Sequence, residues 1–126
     1  MSLEIQLSPA KIPKDANVLA VCANAIKRSV QLVGILQEHD YQHIDHTGVY
    51  IPDQDEVRKK AAWADYIVCL DINAPRKLEE LGAIAEHHIV LEFDVNEWAS
   101  SGNGDYKSLG ELYEEIKRLI APYLED

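Results

Sequence analysis

Apolar and polar positions alternate along this chain in two rhythms that take turns. Val18–Cys22 (VLAVC), Tyr66–Leu70 (YIVCL) and His88–Phe93 (HIVLEF) are short apolar runs, the pattern of strands buried on both faces. Tyr41–Thr47 (YQHIDHT) is more polar and reads as a strand at a sheet edge. Between these runs the spacing is helical. After Ser29, to about Glu38, the apolar positions Val30, Leu32, Val33, Ile35 and Leu36 cover one broad face. Pro52 and Asp53 open a second helix over Gln54 to Ala64, with Val57, Ala61 and Ala64 on one stripe. A third starts at Asn73-Ala74-Pro75 and stops at Gly82. The last begins at Ser108, with Glu111 completing a capping box, and carries an unbroken helical stripe from Leu109 to Ile120.

Strands and helices in strict alternation predict βαβ units. The expected fold is α/β: a three-layer α/β/α arrangement around a four-stranded, mainly parallel sheet. Residues 18–126 form the single domain of this reading. Residues 1–17 stand apart as an N-terminal arm or extra strand: Leu3, Ile5 and Leu7 alternate, and Pro9 and Pro13 bar a regular helix.

Composition narrows the choice of partners. Of 126 residues, 47% are hydrophobic, enough for a real core. The 22 acidic residues outnumber the 12 basic ones, for a net charge of -10, which argues against nucleic acid and anionic membrane as partners. The first fifteen residues lack the basic start and apolar core of a secretory signal, and no apolar run is long enough to span a bilayer, so a cytoplasmic protein is expected. Two cysteines, Cys22 and Cys69, make no disulfide framework. Three histidines, His39, His43 and His46, lack zinc-ligand spacing and read as solvated edge residues, so no metal is expected.

The chemistry concentrates where the first strand meets the first helix. Cys22 ends the strand; Ala23, Asn24, Ala25, Ile26 and Lys27 form a loop; Arg28 and Ser29 enter the helix. Unpaired N–H groups of a helix N-terminus and its preceding loop converge on an anion, and the Arg28 guanidinium adds a planar fork able to hold two oxygens. A phosphate seated there lies above the Cys22 sulfur, whose thiolate is stabilised by the same field. Burial as a small hydrophobe is the plainer role for a cysteine, but it explains neither Arg28 nor Ser29 at this spacing. Cys69, inside an apolar strand, reads as inert core.

This Cys-x5-Arg-Ser loop resembles the phosphate-binding loop of the low-molecular-weight protein tyrosine phosphatases. The resemblance extends over the order of elements from Val18 to Leu124 and implies a phosphotyrosine phosphatase I-like fold. It assigns nucleophilic attack to Cys22, oxygen binding to Arg28 and the amides of residues 23–29, and thiolate support to Ser29. The family loop usually contains a glycine, an asparagine one place later than Asn24, and a second cysteine where this chain has Lys27. The family's general acid sits in an Asp-Pro pair after the fourth strand. No Asp-Pro occurs there in this chain, and Asp94, directly after HIVLEF, is preferred to Asp105 beyond Gly102-Asn103-Gly104.

The implied activity is hydrolysis of a phosphorylated protein or small aryl phosphomonoester through a cysteinyl-phosphate, without metal or organic cofactor. The altered loop keeps an alternative open: a catalytically impaired module that binds phosphate or a phosphoprotein. Arsenate reductases and phosphocysteine carriers share the fold; the former relay through additional cysteines and the latter commonly lack the arginine. Asp71 reads as a turn cap more than a substrate contact. Trp98 and Tyr106 either wall an aromatic cleft or fold back on the core.

Overall fold

The computed structural model describes residues 11–22, 28–70, 73–82, 87–90 and 109–125. Strand β1 (Val18–Cys22) leads into helix α1 (Arg28–Glu38), β2 (Ile44–Gly48), α2 (Gln54–Trp63), β3 (Tyr66–Cys69), α3 (Ala74–Glu80), β4 (His87–Val90) and α4 (Leu109–Ile120), closed by a 3₁₀ turn at Ala121–Tyr123. The four strands form one sheet of order β2-β1-β3-β4, and every neighbouring pair is parallel. The more polar strand lies at an edge, where one row of backbone groups needs no sheet partner. No helix among the described residues is long and apolar enough to cross a membrane.

The period of two along β1 separates the layers. Val18, Ala20 and Cys22 join Leu32, Ile35 and Leu36 of α1 and Ile116 and Ile120 of α4 in one core. Leu19 and Val21 pack on the other face with Val57 and Ala61 of α2 and Ala74 and Leu78 of α3. Val68 and Leu70 share the first core, whereas Ile67 and Cys69 share the second. The molecule is therefore a three-layer α/β/α sandwich. Each fully buried Leu or Ile in these cores contributes about 1.5–3 kcal/mol of burial energy.

Helix ends follow local chemistry. The Asp53 carboxylate caps α2 by accepting the Glu56 N–H at 3.1 Å. Gly82, at φ 71°, takes the left-handed conformation beyond α3 that ends a helix without a Cβ penalty. After α1 the same job falls to Asp40, at φ 68°. Its N–H reaches the Gln37 carbonyl at 3.1 Å, and the Tyr41 N–H reaches that of Leu36 at 3.1 Å, the paired bonds of a Schellman ending. Tyr41 and Leu36 are both buried in the same core, in keeping with the apolar packing that usually goes with this motif.

That ending explains why β2 begins at Ile44 and not at Tyr41. Tyr41 is drawn under the sheet, where its hydroxyl donates to the Ile12 carbonyl at 2.6 Å and accepts the Glu125 N–H at 2.9 Å. Ile12 is fully buried, pairs with Leu124 in a parallel bridge, and donates its N–H to the Tyr123 carbonyl at 2.7 Å. Lys11–Asn17 is thus docked against the end of the chain, while Leu3, Ile5 and Leu7 lie outside the described residues.

Removing the Tyr41 hydroxyl leaves a carbonyl and an N–H without their partner. Tyr41→Phe is expected to lower stability by about 1–3 kcal/mol. Desolvation pushes the phenol's pKa up from its ordinary value of 10.0, with the Glu125 N–H opposing. The folded state therefore holds this proton more tightly than the unfolded chain does. Its contribution is complete below a pH of about 10 and declines as pH rises past that point. Urea unfolding midpoints across alkaline pH check both effects; a midpoint unchanged in Tyr41→Phe rejects the clasp.

Candidate phosphate and nucleophile site

In this strand order the chain leaves β1 on one side for β2 and then returns to the other side with β3. The crevice between β1 and β3 is the point where direction reverses, and ligands of doubly wound sheets bind beyond the carboxyl ends of the strands there. Cys22 is the last residue of β1, 3% exposed. Its carbonyl accepts the Val49 N–H at 3.0 Å, so the strand end is held from the β2 side. On the β3 side the Leu70 N–H reaches the Val21 carbonyl at 2.7 Å.

Arg28 and Ser29 occupy the first turn of α1. Ser29 is fully buried, with Oγ 3.2 Å from Cys22 Sγ. The Arg28 Nη1 donates to the Leu70 carbonyl at 2.6 Å. One of the five guanidinium donors thus anchors the cation across the β1–β3 crevice, on a carbonyl 42 residues away in sequence. A cysteine sulfur, a hydroxyl in contact with it and an oriented permanent cation are brought together at one strand end. The other loop residues named from sequence, Ala23, Asn24, Ala25, Ile26 and Lys27, lie outside the described residues, as do Asp71, Asp94, Trp98, Asp105 and Tyr106.

No protein-family model matches this chain, and no curated protein matches it. The site therefore rests on its own geometry.

The two cysteines face opposite ways. Val21 pairs with Cys69, so Cys22 and Cys69 are on neighbouring strands, but Cys22 packs toward α1 and α4 and Cys69 toward α2 and α3. Neither is in a disulfide.

His46 is the residue that sequence reasoning missed at this site. Its Nδ1 lies 3.4 Å from Ser29 Oγ, on the inner side of β2. The signal was present in the strand's parity: Ile44 packs on the α1–α4 core, and a residue two places on points to the same face. His43, by contrast, is exposed, as expected of a solvated edge histidine. No group of three or more metal-ligating side chains occurs among the described residues.

Lys60 holds the strand that carries His46. From α2 its Nζ donates to the His46 carbonyl at 2.9 Å and to Asp45 Oδ1 at 3.3 Å, and it pairs with Glu56 at 3.2 Å. Desolvation pulls the ammonium's pKa down, but hydrogen bonds to Glu56 and Asp45 outweigh it and leave the pKa above its ordinary value. The edge strand is thereby pinned behind the site by a cation that stays charged at neutral pH.

Proposed function

We propose that this protein hydrolyses phosphomonoesters, of a phosphotyrosyl protein or a small aryl phosphate, through a covalent intermediate on Cys22. The observation that carries the reading is the contact of Cys22 Sγ with the Ser29 hydroxyl at the mouth of β1, beside the anchored Arg28. The resemblance to low-molecular-weight tyrosine phosphatases supports it on the same three residues.

The Cys22 thiolate attacks phosphorus in line, forming the S–P bond as the ester P–O bond breaks. Arg28 and the amides of residues 23–29 hold the equatorial oxygens, whose charge is spread most widely in the transition state. Asp94 is assigned the proton that the departing oxygen takes. Water then attacks phosphorus, the S–P bond breaks, and inorganic phosphate leaves with the thiolate restored. A reductase relay through Cys69 is disfavoured, because that thiol lies on the opposite face of the sheet.

Acid-quenched incubation with an aryl phosphate should trap a phosphorylated Cys22, identified by peptide mass. Arg28→Lys should slow turnover by about 10²-fold and weaken inorganic phosphate binding by less, since a point charge lacks the two-pronged grip of a guanidinium. Equal losses would reduce Arg28 to a binding group. Phosphate binding by the wild type with no product from any ester would favour the binding module over the enzyme.

A further inference from the structure

The hydroxyl of Ser29 has one proton to give and two lone pairs to receive with. Cys22 Sγ lies on one side of it at 3.2 Å, and His46 Nδ1 on the other at 3.4 Å. With the thiol donating to Ser29 Oγ, the serine's own proton is left for an acceptor, and the imidazole nitrogen is within reach. We propose that Cys22, Ser29 and His46 form a proton relay in which His46 is the base that receives the Cys22 proton through the Ser29 hydroxyl. This assignment rests on the reading of Cys22 as a nucleophile, and it adds the group that makes the nucleophile.

The protons balance in a single shift. The Cys22 S–H proton passes to Ser29 Oγ as the Ser29 O–H proton passes to His46 Nδ1. A thiol and a neutral imidazole become a thiolate and an imidazolium, and the serine is unchanged. Every hydrogen bond survives with its direction reversed: the hydroxyl now donates to sulfur and the imidazolium donates to the hydroxyl. That matters for a sulfur 3% exposed in an apolar core, where a charge needs a donor beside it. Cysteine nucleophiles are commonly activated by an adjacent histidine, and here the contact is made through one hydroxyl.

The strand register explains why the base stands off from the sulfur. His46 pairs with Ala20 and Gly48 pairs with Cys22. At a rise of about 3.3 Å per residue, His46 sits roughly 7 Å behind the strand mouth, on the side away from an incoming phosphate. It can take the proton without competing for the ligand. The charged groups on the elements around it are Asp45 on its own strand, whose carboxylate accepts the backbone N–H of His46 at 2.7 Å, Lys60 of α2, which holds the His46 backbone carbonyl, and Arg28 of α1, next to Ser29. The 3.4 Å separation is long for a hydrogen bond, and such catalytic contacts often tighten only when substrate is bound.

The test compares wild type with His46→Ala, His46→Asn, Ser29→Ala and the Ser29→Ala/His46→Ala double variant at neutral pH. Three quantities are read: alkylation of Cys22 by iodoacetamide, located by peptide mass; kcat on an aryl phosphate; and binding of inorganic phosphate. His46→Ala should slow both alkylation and kcat by about 10²-fold, the lower end of what a positioned base supplies, while phosphate binding changes by less than about twofold. His46→Asn offers an amide oxygen near the position of Nδ1 but cannot carry the proton, so it should show the same losses. The double variant should be no slower than Ser29→Ala, because both substitutions cut one relay.

Wild-type reactivity in His46→Asn would make His46 an acceptor that only orients Ser29, and would overturn the relay. So would unchanged rates in His46→Ala, or losses that multiply in the double variant. Should His46→Ala fail to fold, His46→Asn decides alone. Alkylation requires no ester turnover, so the relay and the proposed hydrolysis fail independently. A protein that hydrolyses nothing but loses Cys22 reactivity with His46 keeps the first and loses the second.

Discussion

Cys22→Ser is expected to lower aryl phosphate hydrolysis on the order of 10⁴-fold or more while inorganic phosphate still binds. The serine hydroxyl is far harder to ionise than a thiol at neutral pH, so the attacking anion is almost absent. Fold should survive, since the exchange is nearly isosteric and the new hydroxyl finds the Ser29 Oγ that Sγ contacted at 3.2 Å. Steady-state rates with matched phosphate titrations separate the two consequences. Retained turnover would remove Cys22 from the chemistry. Loss of phosphate binding in parallel would make it part of the cradle and not the nucleophile.

Asp94→Ala should slow hydrolysis of phenyl phosphate by roughly 10²–10⁴-fold and that of a nitrophenyl ester much less. A phenolate leaves slowly at neutral pH unless a proton meets it, because its conjugate acid has a pKa of about 10. A nitrophenolate needs little help. The contrast between the two esters is the diagnostic, since misfolding or a lost binding contact slows both alike. The same factor for both, or a leaving-group dependence that appears only in Asp105→Ala, would take the role from Asp94.

The elements were legible because each is a local pattern. The helix from Gln54 carries its own cap in Asp53, and the one ending near Gly82 carries its own stop, so expected and observed boundaries agree closely there. The expected start of β2 at Tyr41 failed for a non-local reason. Tyr41 has strand-like neighbours, but a Schellman ending on Asp40 and two hydrogen bonds, to Ile12 and from Glu125, draw it into the core instead. Neither partner lies within the window that a periodicity argument reads.

The site divides the same way. Cys22, Arg28 and Ser29 are joined by one strand-to-helix turn, so their spacing alone placed them together. The sequence alone makes His46 a solvated residue, because a polar strand at an edge usually shows its histidines to water. Its partner Ser29 is 17 residues earlier, and only parallel pairing of β2 with β1 brings the two side chains within 3.4 Å.

What the amino-acid order determined by itself is therefore the alternation of strands and helices, the layered class of fold, and the cysteine, arginine and serine at the first turn. These depend on side-chain periods of two and about 3.6 residues and on short spacings along one chain segment. The tertiary structure decided the order β2-β1-β3-β4, and with it the Leu70 carbonyl that anchors Arg28, the imidazole behind Ser29, and the opposite facing of Cys22 and Cys69. Strand order and register are chosen by how whole faces pack after the crossovers form, and a strand carries no local mark of which neighbour it will take.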